Sequence, residues 1–128
     1  MKVLEMAATF SDRVDREFAR RLMVVKEILD LDPLEALGEI GTSPMVVETV
    51  PAAFYCHLKF EPEEALVAAA SSGGDTDSIA SMTGALAGAS CGSDWIPERW
   101  LAYLEERVRI EQVATDLASV GSRICPGI

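Results

Sequence analysis

Histidine occurs once in this chain, as His57, and cysteine three times, as the widely spaced Cys56, Cys91 and Cys125. A single histidine leaves little support for a Ser-His-Asp or Cys-His machinery. On its apolar segment His57 reads as a helix-surface or core residue rather than a ligand. Three scattered cysteines make neither a zinc pattern nor a disulfide framework, which points to a reducing cytoplasm. Basic residues are nearly missing from the middle of the chain. Between Asp30 and Asp94 the only one is Lys59, against eleven acids. The two flanks balance, so the whole net charge of −10 falls in that window. So acidic a chain is a poor partner for nucleic acid or an anionic membrane surface. Long apolar runs are also missing. The longest uncharged run, Ser78 to Ser93, falls short of the ~20 apolar residues of a membrane span and is rich in Ser, Thr and Gly. It reads as a buried helix. The N-terminus has Lys2, but Glu5 follows with no long apolar region, so no signal peptide is read there.

What is present is helical. The hydrophobic share of 49% argues against disorder, and the length suits one domain with a modest core. Aromatics are few, and apolar residues recur at steps of three and four. Val14, Phe18, Leu22, Val25 and Leu29 form one face of a first helix starting after Ser11. Its opposite face alternates in charge, so Arg20-Arg21 reads as solvated surface rather than a basic patch. Asp32-Pro33-Leu34-Glu35 opens a short helix with an N-cap and a first-position proline, expected to stop near Gly38. Gly38, Gly41 and Pro44 make a loop. Val47 to Leu58 follows as a helix with Pro51 near its first turn and Val50, Ala53, Phe54 and Leu58 as the buried stripe. Glu61-Pro62-Glu63-Glu64 opens another helix, with acids at its positive end. Beyond Asp94 and Pro97 the period resumes. Trp100 is expected as a core anchor, and Gly121 and Pro126 are expected to end the last helix. No strand pattern persists. The expected fold is all-α, a helical bundle or array.

One stretch stands apart. Ser72-Gly73-Gly74-Asp75-Thr76-Asp77-Ser78 places two carboxylates and two hydroxyls within four residues, after two glycines that let the chain turn sharply. Residue types alone favour a plain helix cap. Yet Asp75 and Asp77 stand at the mouth of the uncharged run, where unpaired charge is costly. With bases so scarce in the window, a cation is the favoured partner, although solvated surface acids would give the same count. Asp75, Asp77 and the Ser78 hydroxyl are the oxygen ligands that Mg²⁺ prefers.

Gly73-Gly74-Asp75-Thr76-Asp77-Ser78-Ile79-Ala80, then Thr83-Gly84-Ala85-Leu86-Ala87-Gly88-Ala89, then Ile96-Pro97-Glu98-Arg99-Trp100, resemble the C-terminal part of the ADP-ribosylglycohydrolases. Val47-Glu48-Thr49-Val50-Pro51-Ala52-Ala53 is similar to another segment of that family. The resemblance runs from about Ser11 to about Gln112. It implies a single partial domain over 1–128, the C-terminal portion of that fold, with its core at about 11–120 and a tail at 121–128. The implied activity is hydrolysis of the glycosidic bond between ADP-ribose and an acceptor. Two Mg²⁺ ions, or Mn²⁺, would assist. Asp75, Asp77 and Ser78 are implied as metal ligands, with Ser78 in place of the commoner threonine. Gly73 and Gly74 would let the ribose approach, and Ser43, in the loop Gly41-Thr42-Ser43-Pro44-Met45, would help hold ADP-ribose. No catalytic acid or base is assigned. The implied partners are an ADP-ribosylated protein or a small ADP-ribose conjugate.

The family also carries a Thr-Asp-Asp run that supplies further metal ligands, and this chain has none. Two readings follow. In one, the chain is part of a hydrolase that a complementing N-terminal chain or segment completes, with self-association as the other way to cover its apolar surface. In the other, it is a non-catalytic remnant or helical interaction module that keeps half of a metal site.

Overall fold

The computed structural model describes residues 1–124. Among them there are eight helices and no strand, so the molecule is all-α, as the apolar spacing predicts. They fall into two compact units, one over Met1–Trp95 and one from Ile96 onward.

In the first unit, α1 spans Lys2–Ser11 and α2 spans Arg16–Glu27. The expected single start after Ser11 is replaced by a turn and a second start. The Asp15 side chain accepts the Phe18 N–H at 3.0 Å and caps α2. Val14 therefore lies outside the helix and is 92% exposed, while Leu22 and Val25 are buried. Leu4 and Ala8 of α1 join the same core.

α3 (Pro33–Ile40) starts as expected, with Asp32 accepting the Leu34 N–H at 3.0 Å and Pro33 at the first position. It runs past Gly38 and stops at Gly41, whose φ of 88° an L side chain rarely adopts. α4 (Val46–Lys59) is the hub, packed by α2, α3, α5 and α6. From Pro51 to Cys56 every side chain is buried, not just the Ala53 and Phe54 of the expected stripe. A helix enclosed on all sides needs its polar atoms paired. The Tyr55 hydroxyl donates to the Leu31 carbonyl at 3.2 Å. The same burial pushes the Cys56 thiol up to about 11.

α5 (Pro62–Ala70) leads into the glycine turn, and α6 (Thr76–Cys91) leaves it. α6 was expected to be a buried helix. It buries one stripe instead, Ile79, Thr83 and Ala87, at steps of four. The Thr83 hydroxyl is satisfied by the Ile79 carbonyl at 2.8 Å. A Cβ at Gly84 would stand 3.5 Å from Leu66 of α5, whereas one at Gly88 would meet nothing. The first is an ordinary van der Waals contact, so close packing demands glycine at neither position. His57 of α4 is half-buried and lies 3.3 Å from the Ser90 hydroxyl of α6. It bridges two helices, as a structural histidine does.

The second unit holds α7 (Glu98–Leu101) and α8 (Arg107–Ile124). Trp100 is only partly buried, with the Arg99 guanidinium 5.5 Å above its ring, rather than a core anchor. Gly121 lies within α8 and does not end it. Cys125, Pro126 and the rest of the expected tail beyond residue 124 lie outside the described residues. Among the described residues no helix is long and apolar enough to cross a membrane.

Candidate functional site

The glycine turn takes the shape its sequence requires. Gly73 has φ 76° and Gly74 φ 69°, both in the left-handed region that favours glycine. The two glycines have different surroundings. A Cβ at Gly73 would meet no protein atom, so that side of the turn is open. A Cβ at Gly74 would collide with the Thr42 carbonyl oxygen and come within 2.7 Å of Thr42 Oγ1. Thr42 belongs to the loop between α3 and α4. The next N–H in the turn, that of Asp75, donates to the same Thr42 oxygen at 2.8 Å. The two loops are thereby joined, and the Ser43 loop is brought to the Asp75 turn.

The carboxylates sit where the sequence places them. Asp75 is the N-cap residue of α6, and Asp77 lies in its first turn. A plain cap would have Asp75 accept an N–H of that turn, as Asp15 and Asp32 do for α2 and α3. The Asp75 side chain makes no such bond. Its neighbour is the Asp77 side chain. Asp75, followed by the backbone N–H groups of Ser78 and Asp77, holds the exposed Asp77 carboxyl below the usual aspartate range. Two acids at such close quarters favour a shared proton or a cation. Among the described residues neither carboxylate has a basic partner. Lys59, the one base in the acidic window, is committed elsewhere. Its Nζ donates to the Leu29 carbonyl at 2.6 Å and the Leu31 carbonyl at 3.2 Å, beyond the end of α2.

The oxygen-only donor set of Asp75, Asp77 and Ser78 suits a hard cation, but it is partial. Among the described residues no three His, Cys, Asp or Glu side chains come together as a metal site.

The loop from Gly41 to Met45 is braced by a residue to which the sequence reading gave no role. The Ser43 N–H donates to Glu48 Oε2 at 2.8 Å. A Cβ at Gly41 would strike the Glu48 carboxyl carbon. The Ser43 hydroxyl is buried and near enough to the same carboxylate to help lower its pKa, but it falls short of a well-formed hydrogen bond. Ser43 thus faces inward to Glu48 through its backbone. Thr42 and Glu48 are the site residues missed from sequence. The only local signal was an acid in the first turn of a helix that follows a glycine loop. Beside the turn lies a cleft of about 330 Å³, whose lining includes Leu34, Leu37, Gly38, Thr42, Ser71 and Ser72.

The family model described as ADP-ribosylglycohydrolase matches residues 2–126. Mouse ADP-ribosylhydrolase ARH3 is 39% identical over 121 residues, covering 83% of this chain and 33% of that protein. A protein of Archaeoglobus fulgidus described as uncharacterized is 36% identical over 124 residues, 96% of this chain and 40% of its own length. ADP-ribosylarginine hydrolase Tri1 of Serratia proteamaculans is 38% identical over 80 residues, 62% of this chain and 22% of that protein. No solved structure matches. The chain spans at most about 40% of the length of these relatives. The match runs through the glycine turn, the acid pair and the braced loop alike, and the chain belongs to the ADP-ribosylglycohydrolase family.

Proposed function

We propose that this chain supplies the C-terminal half-site of a hydrolase that cleaves the bond between ADP-ribose and an acceptor. Asp75, Asp77 and Ser78 would hold Mg²⁺ or Mn²⁺, and a complete site would hold two ions. The observation that carries this reading is the acid pair itself. It stands at a helix start where it does no capping through Asp75, and the only base in the window is bound to carbonyls elsewhere.

In the net reaction, water adds to the anomeric carbon of the ribose and the acceptor leaves with a proton. A bound cation would offset the charge of the two acids and polarise oxygens near that carbon. The chain's own residues contribute placement. Gly73, open on its Cβ side, leaves room for a ribose against the backbone. Gly74 serves a different end, since Thr42 fills the space its side chain would take. The partner is an ADP-ribose conjugate, protein or small molecule. A further chain or segment would bring the remaining ligands, because two ions of about six ligands each need more than three side chains.

The test is Mn²⁺ or Mg²⁺ titration of the 128-residue chain and of Asp77→Asn, with ADP-ribose release from a modified protein measured alongside. Weak metal binding that the substitution reduces, with helix content unchanged and no turnover by the chain alone, is the expected result. Asp77 is exposed in the first turn of α6 and is not its N-cap residue, so a substitution of the same shape leaves the fold in place. Equal metal affinity in both proteins would remove the metal reading and leave the helical-module alternative. Metal-dependent turnover by the chain alone would show that nothing further is needed.

A further inference from the structure

The groups that act on the Glu48 carboxylate are Ser43 and Arg21, and neither aspartate of the acid pair is among them. What links Glu48 to the Asp75 turn is backbone. Glu48 Oε2 accepts the Ser43 N–H at 2.8 Å. The carboxyl group lies under Gly41, where even a methyl group would collide with it. The chain between these two points is Thr42. Its carbonyl receives the Asp75 N–H at 2.8 Å, and its backbone and hydroxyl fill the space over Gly74. Fixing residues 41 and 43 therefore fixes the surface on which the turn at 74 and 75 rests. Behind this stands Arg21 of α2, whose Nη1 is 3.4 Å from the Ile40 carbonyl and whose charge acts on Glu48.

From this geometry we propose that Glu48 is a positioning residue, holding the 41–43 loop so that the Thr42 carbonyl sets the backbone of Asp75. The proposal rests on the reading of Asp75 and Asp77 as metal ligands, but its core is a mechanical coupling that can be measured without metal. An acid in the first turn of α4 would also interact well with the helix dipole. A residue acting only in that way would affect stability and not the turn beyond Thr42.

The experiment compares amide hydrogen exchange in the wild type, Glu48→Ala and Glu48→Gln. The Asp75 amide, bonded to Thr42, is the reporter. The Ile79 amide, bonded to the Asp75 carbonyl, is the reference within α6. In Glu48→Ala the Asp75 amide should exchange about tenfold faster relative to Ile79, as expected when one anchoring hydrogen bond is released locally. In Glu48→Gln, which keeps an acceptor oxygen, the ratio should stay within about twofold of wild type. If Glu48→Ala does not fold, Gly41→Ala displaces the same carboxylate from the other side and should give the same local acceleration. An unchanged Asp75-to-Ile79 ratio in whichever of these variants folds would overturn the coupling.

A Mn²⁺ titration separates this inference from the reading beneath it. Weaker binding in Glu48→Ala, restored in Glu48→Gln, is the expected result. If the wild type binds no Mn²⁺, the metal reading fails, and the exchange ratio still decides whether Glu48 sets the turn. If the wild type binds Mn²⁺ and Glu48→Ala binds it equally well, the positioning role is refuted.

Discussion

The Asp75 N–H and the Thr42 carbonyl are joined at 2.8 Å, and Gly74 is the residue that lets them meet. Two loops distant in sequence are thus set by one backbone contact. The first carries Ser43 and the second carries the acid pair.

The two glycines of the turn should respond differently to alanine. At Gly73 only the positive φ is penalised, because a Cβ has open space. That strain is about 1 kcal/mol. At Gly74 the same strain is joined by a collision with the Thr42 backbone. Gly74→Ala should cost roughly 2–4 kcal/mol, combining backbone strain and overpacking. Urea unfolding of the two variants gives the comparison. Equal losses would mean that Thr42 yields to the new methyl group and that the contact is soft.

The glycine turn and its acids were legible because their signals are local. So were the starts of α3 and α5, where a proline follows an acid. The join between the loops was not legible, since nothing in Gly41-Thr42-Ser43 names a partner more than thirty residues on. α1 was missed because its apolar residues do not form one clean stripe. Leu4 and Ala8 are buried, while Val3, Met6 and Phe10 are exposed. The run from Ser78 to Ser93 looked fully buried because it lacks charge. Small uncharged residues such as Ser81, Ala85 and Ser90 sit at its surface without penalty. α4 carries the real centre of the core, with Glu48, His57 and Lys59 placed at its ends, where their polar groups find partners.

Glu48 should make stability depend on pH in a definite direction. The Ser43 hydroxyl and then the Ser43 N–H hold its carboxyl below the ordinary glutamate value of 4.5. A lowered folded pKa means that the unfolded chain binds the proton more readily. The contribution is then present above the unfolded value and is lost as pH falls through the folded one. Wild type should exceed Glu48→Gln in stability by a constant margin above about pH 5.5, and the margin should shrink steadily below about pH 4.5. Urea midpoints across that range give the answer. A margin that grows on acidification would reverse the sign and exclude this carboxylate as the source.

Lys59 tests how the acidic segment is held to the rest of the core. Its ammonium closes the two carbonyls of Leu29 and Leu31, and the second of these also receives the Tyr55 hydroxyl. Lys59→Met keeps the stem and removes the donor. The loss should be about 1–3 kcal/mol, the range for hydrogen bonds from a charged group in a partly buried place. Thermal unfolding gives the value. Metal affinity should not change, because Lys59 does not pair with Asp75 or Asp77. A metal affinity that rises or falls with Lys59→Met would mean that the ammonium does act on the acid pair.

The last expectation concerns association. Along α8, Ile110, Val113, Leu117 and Val120 follow one another at steps of three, four and three. All are exposed, Leu117 to 71%. This is the spacing of a helical seam, and among the described side chains of α8 none is buried. On α1, Val3, Met6 and Phe10 are exposed as well. Apolar surface of this kind draws a partner or self-associates. The 128-residue chain alone should therefore show a scattering mass that rises between about 10 µM and about 1 mM, the range in which exposed apolar surface drives association. Leu117→Glu places a charge in the middle of the α8 stripe and should lower the apparent mass while leaving helix content unchanged, since glutamate is a good helix former. A constant monomer mass for the wild type over the whole range would show that these faces need no cover. Association that Leu117→Glu leaves untouched would move the contact away from α8, and the α1 face, tested with Phe10→Glu, would be the next surface to examine.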